Sequence, residues 1–488
     1  MPHVVLRAPD VFETAFGGIR AELDVPLRFP TEVLEEAERA TPDPSVDRID
    51  ARHLPLIAID PPGATDLDQA FTAERTDDGY RVFYAIADVG AFVTPGGAVD
   101  IEARRRGTTL YSPDVRAPLH PPILSEDRSS LLPDRDRPAL LWTIDLDAEG
   151  RAATWNLTRA VVRVAEAISY RVAQERIDRA TDEPGTAHEN LMLLSTIGDL
   201  RRQREAERGG VSLRLPAQEI VKRHDGYALE FDQPLPVEGW NAQISLLTGM
   251  IAGRTMTDAG VGILRTLPPA DPADVEVLRR IADVLDLGWP ADTDYAAFVR
   301  SLEPSTAARN AFLVQCTRLF KGAGYHGFTG RRPDNREHSA LEHSAIASLY
   351  AHVTAPLRRL VDRFGNEILL AVLADNEPPS WAVEALEELP SLMGRARQRE
   401  SSLERALLDM AEVLTLENHV GEVFDSVVVD VSPPRDQATV QITEPAVVTR
   451  LPVGSLELAE RVKLRLTATD REQRTVTFEP IRNRQAST

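Results

Sequence analysis

Three carboxylates, at Asp60, Asp66 and Asp68, fall within nine residues of the segment 59–70. They follow the apolar stretch 54–59, which is typical of a buried strand leading into a loop. Two unit charges 4 Å apart repel by about 4 kcal/mol at an effective dielectric of 20. A hard divalent cation removes that repulsion, and Mg²⁺ commonly uses one or two carboxylates together with a substrate phosphate. The segment alone is consistent with a metal-dependent phosphodiester enzyme, a solvated acidic turn or a calcium loop.

Further segments narrow this choice. Tyr84-Ala85-Ile86-Ala87-Asp88-Val89 reads as a strand that ends on a carboxylate, and the segments 104–111 and 124–127 follow it. Far downstream, residues 350–359 read Tyr-Ala-His-Val-Thr-Ala-Pro-Leu-Arg-Arg. In this order and spacing the segments resemble the catalytic RNB domain of the ribonuclease II/ribonuclease R family, which are processive 3′-to-5′ exoribonucleases. The resemblance covers roughly residues 50–485.

The resemblance implies roles for the acidic segment. Asp60, Asp66 and Asp68 match the first three acids of the family motif and would bind metal, and Asp68 would be the carboxylate most directly tied to catalysis. The family has a fourth acid directly after the third, where this chain has Gln69. A glutamine can ligate through its carbonyl oxygen but adds no negative charge, so the affinity for a divalent metal should fall. Arg358 matches the family's catalytic arginine, which stabilises charge on the scissile phosphate.

The resemblance also implies residues that contact RNA. Tyr111 matches a tyrosine that stacks on or clamps the terminal nucleotide, and Thr354 and Arg359 flank Arg358 in its motif. Leu213 stands where the family has an aromatic clamp, and the segment 244–248 lacks an expected glutamate. Two groups that grip the substrate in the family are therefore absent from the sequence.

The elements that must position these residues can be predicted from the sequence. Thr354 is predicted to cap a helix with Pro356 in its first turn, because apolar residues recur at helical spacing afterwards. The arginine pair would then lie at a helix N-terminus, which favours anion binding. Asp362 is expected to orient one of the two arginines.

The sequence predicts an α+β fold, with an RNB catalytic domain of mixed sheets and helices and a C-terminal OB-type β-barrel. The expected domains are a short leader with a helix (1–50), the catalytic domain (51–420) and the RNA-binding barrel (421–488). Five short β-branched runs after residue 421 predict the barrel. Because fifty residues cannot hold the two cold-shock domains that usually precede the family's catalytic motif, we expect a short form without them.

Composition limits the function further. The net charge of −21 argues against a protein that coats nucleic acid by bulk electrostatics, although a channel lined by local arginines is compatible with it. The single cysteine, Cys316, excludes a disulfide framework. There is no stretch of eighteen apolar residues and no secretory signal, so we expect a cytoplasmic, monomeric protein with no membrane association.

The expected function is a Mg²⁺-dependent exoribonuclease, with Mn²⁺ as a substitute, that converts single-stranded RNA into 5′-nucleoside monophosphates. The alternative is a catalytically weakened or inactive RNA-binding protein on the same fold. Gln69 and the two absent gripping groups favour the alternative, whereas the presence of Asp60, Asp66, Asp68 and Arg358 opposes it.

Overall fold

The computed structural model describes residues 9–179, 186–213, 217–223, 226–232, 234–302, 306–330, 341–442 and 444–481. The helices are α1 (Pro9–Glu22), α2 (Thr31–Arg39), α3 (Ala98–Arg106), α4 (Tyr170–Asp178), α5 (Thr186–Glu207), α6 (Pro236–Ala259), α7 (Pro272–Val284), α8 (Tyr295–Ser301), α9 (Ala307–Cys316), α10 (Leu360–Leu373), α11 (Ser380–Glu384) and α12 (Leu389–Leu416).

The strands of the first half are β1 (Ile49–Asp50), β2 (Ile57–Ile59), β3 (Gln69–Thr76), β4 (Gly79–Ala87), β5 (Leu110–Tyr111), β6 (Arg116–Ala117), β7 (Asp136–Asp147), β8 (Ala152–Arg163) and β9 (Glu166–Ile168). Those of the second half are β10 (Ala217–Arg223), β11 (Gly226–Asp232), β12 (Val261–Thr266), β13 (Gly324–Thr329), β14 (Val423–Ser432), β15 (Gln437–Ile442), β16 (Val447–Leu451), β17 (Arg461–Asp470) and β18 (Thr475–Pro480).

A seven-stranded sheet, in the order β1-β8-β7-β4-β3-β2-β9, forms the centre of the catalytic region. Side chains alternate between its faces along each strand. Tyr84 and Trp142 pair across β4 and β7 and pack in one apolar cluster, whereas their neighbours Ala85 and Leu141 pack in another on the opposite face. Both faces of the sheet are therefore covered, which explains why β4 reads as a nearly continuous apolar run.

Helix α6 lies in the cluster on the Tyr84 face, together with α5 and α10. It is buried around most of its circumference, which is the pattern of a helix in the interior of a large domain. Among the residues described, no helix is both long enough and apolar enough to cross a bilayer.

The C-terminal region forms a five-stranded antiparallel sheet in the order β16-β15-β14-β17-β18. Its first and last strands, β16 and β18, approach each other, so the sheet curves into a nearly closed barrel of the OB type. The α+β fold class and this barrel are confirmed, and each predicted β-branched run lies in one of the strands.

Helix α1 packs in the same apolar cluster as α12 and the barrel. Phe12 and Phe16 contact Tyr227 with ring centroids 5.2 and 5.7 Å apart. At the end of α1, Glu22 forms an ion pair with Arg474 of the barrel at 2.8 Å. We propose the domain boundaries near residues 50 and 420 as functional divisions, although α1 and the barrel share one core.

One helix boundary differs from the prediction. Helix α10 begins at Leu360 rather than after Thr354. The preceding residues are held in another way, because the carbonyl of Arg358 accepts hydrogen bonds from Thr109 N and Thr108 Oγ1, both at 2.9 Å. Arg359 has extended backbone and occupies the N-cap position. The arginine pair therefore lies immediately before the helix, and tertiary pairing with residues 107–109 outweighs local helix propensity.

Candidate active site

The acidic segment forms a fixed loop between strands β2 and β3. The chain leaves the fully buried β2 and turns at Gly63, whose φ of +80° is one that residues with a Cβ rarely adopt. Ser130 fixes the far end, because its hydroxyl accepts from Leu67 N at 2.9 Å and donates to the Thr65 carbonyl at 2.8 Å. The loop thus holds its three carboxylates in defined positions.

Asp68 connects the two motifs that lie far apart in sequence. Its side chain is buried, one oxygen accepting from Leu357 N at 2.8 Å and the other from Arg358 Nε at 3.2 Å. Burial raises the pKa of Asp68 to about 7, against the opposing effect of Arg358. The guanidinium of Arg358 is about half exposed, so it can face a ligand while Asp68 holds its inner edge.

Asp60, unlike Asp68, has no hydrogen-bond donor among the described residues. Its carboxylate accepts no hydrogen bond from any residue in the described part of the chain, although the side chain is only partly exposed. Burial raises the pKa of Asp60 to about 6; the nearby Asp66 also raises it and Arg358 lowers it. A carboxylate without a hydrogen-bond donor beside a second carboxylate is a favourable environment for a cation.

Both oxygens of Asp66 are engaged by a small hairpin. Tyr111 Oη donates to one oxygen at 3.0 Å, and Arg116 Nη1 donates to the other at 2.7 Å. Tyr111 lies in β5 and Arg116 in β6, where they are directly paired. Arg116 also forms an ion pair with Glu126 at 3.0 Å.

Gln69 is the first residue of β3, and both ends of its amide contact protein atoms. Nε2 donates to the carbonyl of Thr354 at 2.7 Å. Oε1 accepts from the buried hydroxyl of Tyr84 and from Ser245 Oγ, the latter at 3.3 Å. These contacts favour a positioning role, since the oxygen expected to bind metal already has two donors.

The arginine motif is held by its own acid. Asp362 is fully buried, accepts from Arg359 Nη2 at 2.7 Å, and accepts from Ala355 N at 2.7 Å. It therefore orients Arg359 and closes the turn that carries Arg358. Thr354 is buried and contributes the backbone carbonyl that Gln69 contacts.

A cavity of about 390 Å³ adjoins these residues. Tyr111, Arg358 and Arg359 line it, which places three predicted site residues around one space. Further lining residues are Thr108, Thr109, Arg265, Tyr325, His352, Met393, Ala396, Arg397, Glu400, Ser401 and Glu404.

Two arginines in this lining were not predicted as site residues. Arg265 lies over the ring of Tyr325 with 4.8 Å between guanidinium carbon and centroid, and Tyr325 Oη is 2.7 Å from His352 Nδ1. Arg397 comes from α12. No local motif marks Arg265 or Arg397. Arg116 was also missed, although Ser112-Pro113-Asp114 is a recognisable turn signal that brings it opposite Tyr111.

Leu213 lies elsewhere. It packs with Val211 against a cluster formed by α7, α8 and α9, and it is not among the residues that line the cavity beside Tyr111. Its role as a substitute for an aromatic clamp stays a prediction.

The residues at this site would hold at most one cation together with a substrate phosphate. Among the residues described, no group of three histidine, cysteine, aspartate or glutamate side chains is arranged to hold a metal ion. Asp60 has no hydrogen-bond donor among the described residues, however, and Mg²⁺ often needs only one or two carboxylates when a phosphate supplies further oxygens. We propose Asp60 and Asp66 as the residues that would bind it, with Asp68 behind them.

Comparison with known proteins identifies two family domains in this chain. The RNB domain matches residues 48–375, and the RNase II-type exonuclease C-terminal S1 domain matches residues 422–481. The human exosome complex exonuclease RRP44 is 30% identical over 345 residues. The aligned region covers 67% of this chain and 35% of the length of RRP44. Ribonuclease R of Escherichia coli is 26% identical over 453 residues, covering 84% and 52%. The chain thus spans between about a third and half the length of these relatives.

Solved structures show the same fold. Mycoplasma genitalium RNase R in complex with ribose-methylated single-stranded RNA superposes with a TM-score of 0.85 at 19% identity, covering 97% of this chain and 78% of its own. Yeast Ssd1, described as a pseudonuclease, superposes with a TM-score of 0.72 at 16% identity, covering 93% and 57%.

Proposed function

This chain belongs to the RNB-domain family, and we propose that it is a 3′-to-5′ exoribonuclease that hydrolyses single-stranded RNA to 5′-nucleoside monophosphates with a divalent cation. The cation we propose is Mg²⁺, with Mn²⁺ as a substitute. The single observation that carries the proposal is the contact of Asp68 with Leu357 N and Arg358 Nε. It joins the acidic loop and the arginine motif beside a cavity that a nucleotide can enter.

The residues would divide the work as follows. Asp60 and Asp66 would hold the cation, which when bound supplies charge stabilisation and an activated water for phosphodiester hydrolysis. Asp68 holds Arg358 at the inner edge of its guanidinium, so that the remaining donors face the cavity. A guanidinium fixed in advance stabilises the charge that develops on the phosphate without reorganising.

The remaining groups would bind RNA. Tyr111 is 49% exposed at the rim, which leaves its ring available to a terminal base. The lining contains the four arginines Arg265, Arg358, Arg359 and Arg397 against the two acids Glu400 and Glu404, so arginines that can contact phosphates outnumber the acids there. We infer that single-stranded RNA reaches the site through this cavity, that the C-terminal barrel contributes to RNA binding, and that the protein acts as a monomer.

The alternative proposal, an RNA-binding protein with little or no activity, has one specific observation in its favour. Gln69 stands at the position of the family's fourth acid and uses its amide to hold neighbouring elements. The structural similarity to Ssd1 is compatible with either function, because at this identity it supports the fold alone.

Analysis of the reaction products distinguishes an exoribonuclease from an inactive RNA-binding protein. Uniformly labelled oligo(A) is incubated with the protein and Mg²⁺, and the products are resolved by thin-layer chromatography. The proposal predicts accumulation of 5′-AMP from the beginning of the reaction. Undigested RNA that co-elutes with the protein on gel filtration would support the alternative.

A further inference from the structure

Arg116 forms an ion pair with Asp66, one of the two carboxylates that would bind the cation. Arg116 Nη1 lies 2.7 Å from Asp66 Oδ1, and its Nη2 lies 3.0 Å from Glu126 Oε2. Tyr111 donates to the other oxygen of Asp66. Of the two carboxylates that would bind a cation, Asp66 is thus already paired, whereas Asp60 has no partner in the part of the chain that the structure describes.

The hairpin that carries Arg116 is firmly anchored. Its turn is closed by a hydrogen bond from Ser112 N to the Val115 carbonyl at 3.0 Å. Arg20 of α1 makes two hydrogen bonds to the carboxylate of Asp114 in that turn, at 2.6 and 2.8 Å, and both side chains are about 90% buried. Arg116 is therefore held beside Asp66 by the fold, unlike an exposed surface arginine, whose ion pair contributes little.

The charges at the site indicate how Arg116 affects cation binding. Asp60, Asp66, Asp68 and Glu126 carry four negative charges if ionised, and Arg116 and Arg358 carry two positive ones. The net charge of these six groups is therefore −2, and without Arg116 it would be −3. A phosphodiester of bound RNA adds one negative charge, which is the same change that loss of Arg116 makes.

We propose that Arg116 is a positioning residue that holds Asp66 and, through its charge, keeps the affinity of the RNA-free site for a divalent cation low. This inference rests on the proposed function, because it concerns the cation of that reaction. Arg116 competes with the cation for Asp66, and the competition weakens when a phosphate adds negative charge.

The test measures Mn²⁺ binding to RNA-free protein by electron paramagnetic resonance, which does not depend on activity. The wild type is compared with Arg116→Gln, with Arg116→Lys, which keeps the charge, and with Arg151→Gln. Arg151 pairs with Asp147 and Glu149 on the exposed β7–β8 turn, so this control has the same change of charge away from the site. Thermal unfolding monitored by circular dichroism confirms that each variant is folded.

Removing one positive charge from this partly buried site should tighten Mn²⁺ binding by at least about tenfold in Arg116→Gln, because water-like screening sets the lower limit of the effect. Arg116→Lys and Arg151→Gln should bind Mn²⁺ as the wild type does. Adding Asp66→Asn to Arg116→Gln should abolish most of the gain, because the two residues act as a pair.

Equal or weaker Mn²⁺ binding by Arg116→Gln would overturn this inference while leaving the proposed function in place. Failure of every variant to bind Mn²⁺ even when RNA is added, with Asp60→Asn no different from the wild type, would instead overturn the cation site and the metal-assisted function with it.

Discussion

Gln69→Glu is the most informative substitution, because it preserves the shape of the side chain and changes only one end. The amide NH₂ of Gln69 donates to the Thr354 carbonyl at 2.7 Å. In the variant an oxygen takes this position, and two acceptors then face each other unless the new carboxyl is protonated. The new charge also lies next to Asp68, whose buried carboxylate has a raised pKa.

The expected loss follows from the hydrogen bond. Leaving a buried acceptor without its donor costs about 1–3 kcal/mol. Thr354 precedes Arg358 in the same turn, so a displaced carbonyl moves the guanidinium relative to Asp68. If this cost falls on the transition state, the rate drops by about 5- to 150-fold, since each 1.4 kcal/mol is a factor of ten.

The assay is single-turnover release of the 3′-terminal nucleotide, with enzyme in excess over RNA and saturating Mg²⁺. The matched control is Gln203→Glu on the exposed face of α5, which adds the same charge and should react at the wild-type rate. A Gln69→Glu protein that is as fast as the wild type, and that needs less Mg²⁺, would refute the positioning role and identify the side chain as a cation ligand.

Three further predictions concern pH, the N-terminal helix and the RNA-contacting tyrosine. The pKa values of Asp60 and Asp68, about 6 and about 7, lie above those of the unfolded chain, so the contribution of these two groups to the stability of cation-free protein should fall as pH rises from about 4 to 7. Relative to the wild type, Asp60→Asn should therefore gain thermal stability over that range, and a difference in melting temperature that does not change with pH would contradict this. Phe16→Ala should lower the free energy of unfolding, measured in urea, by about 3–5 kcal/mol, because Phe16 is fully buried. Val11 is more exposed, so Val11→Ala should leave the free energy of unfolding nearly unchanged, and equal effects of the two substitutions would count against α1 as part of the core. Tyr111→Ala should weaken RNA binding, measured by fluorescence anisotropy in EDTA, by about 1–3 kcal/mol because a stacking contact is lost. Tyr111→Phe should bind RNA with the affinity of the wild type, and a Tyr111→Phe affinity as low as that of Tyr111→Ala would exclude stacking.

The barrel strands and the Arg359–Asp362 pair could be predicted from residues that are close together in the sequence. The five barrel strands follow from β-branched runs separated by turn residues, and they are present where expected. The orientation of Arg359 by Asp362 follows from a separation of three residues. The meeting of Asp68 with Arg358 could not come from spacing and was expected only through the family resemblance.

Contacts between distant segments account for what the sequence did not reveal. Helix α10 begins at Leu360 because residues 107–109 bind the backbone just before it, and this pairing has no signature near Thr354. The engagement of both ends of Gln69 depends on Tyr84 and on Ser245, which lies in α6. Arg265 and Arg397 reach one cavity from unrelated elements, so their proximity is a property of the fold.

We propose that the Asp68–Arg358 contact forms the active site of a 3′ exoribonuclease. The most direct test incubates the purified protein and its Asp68→Asn variant with 5′-labelled oligo(A) and Mg²⁺, and follows the products on a sequencing gel. We expect a ladder that shortens to a small limit product with the wild type and is absent with the variant. Intact oligo(A) with the wild type in both Mg²⁺ and Mn²⁺, while a binding assay still detects RNA on the protein, would contradict it.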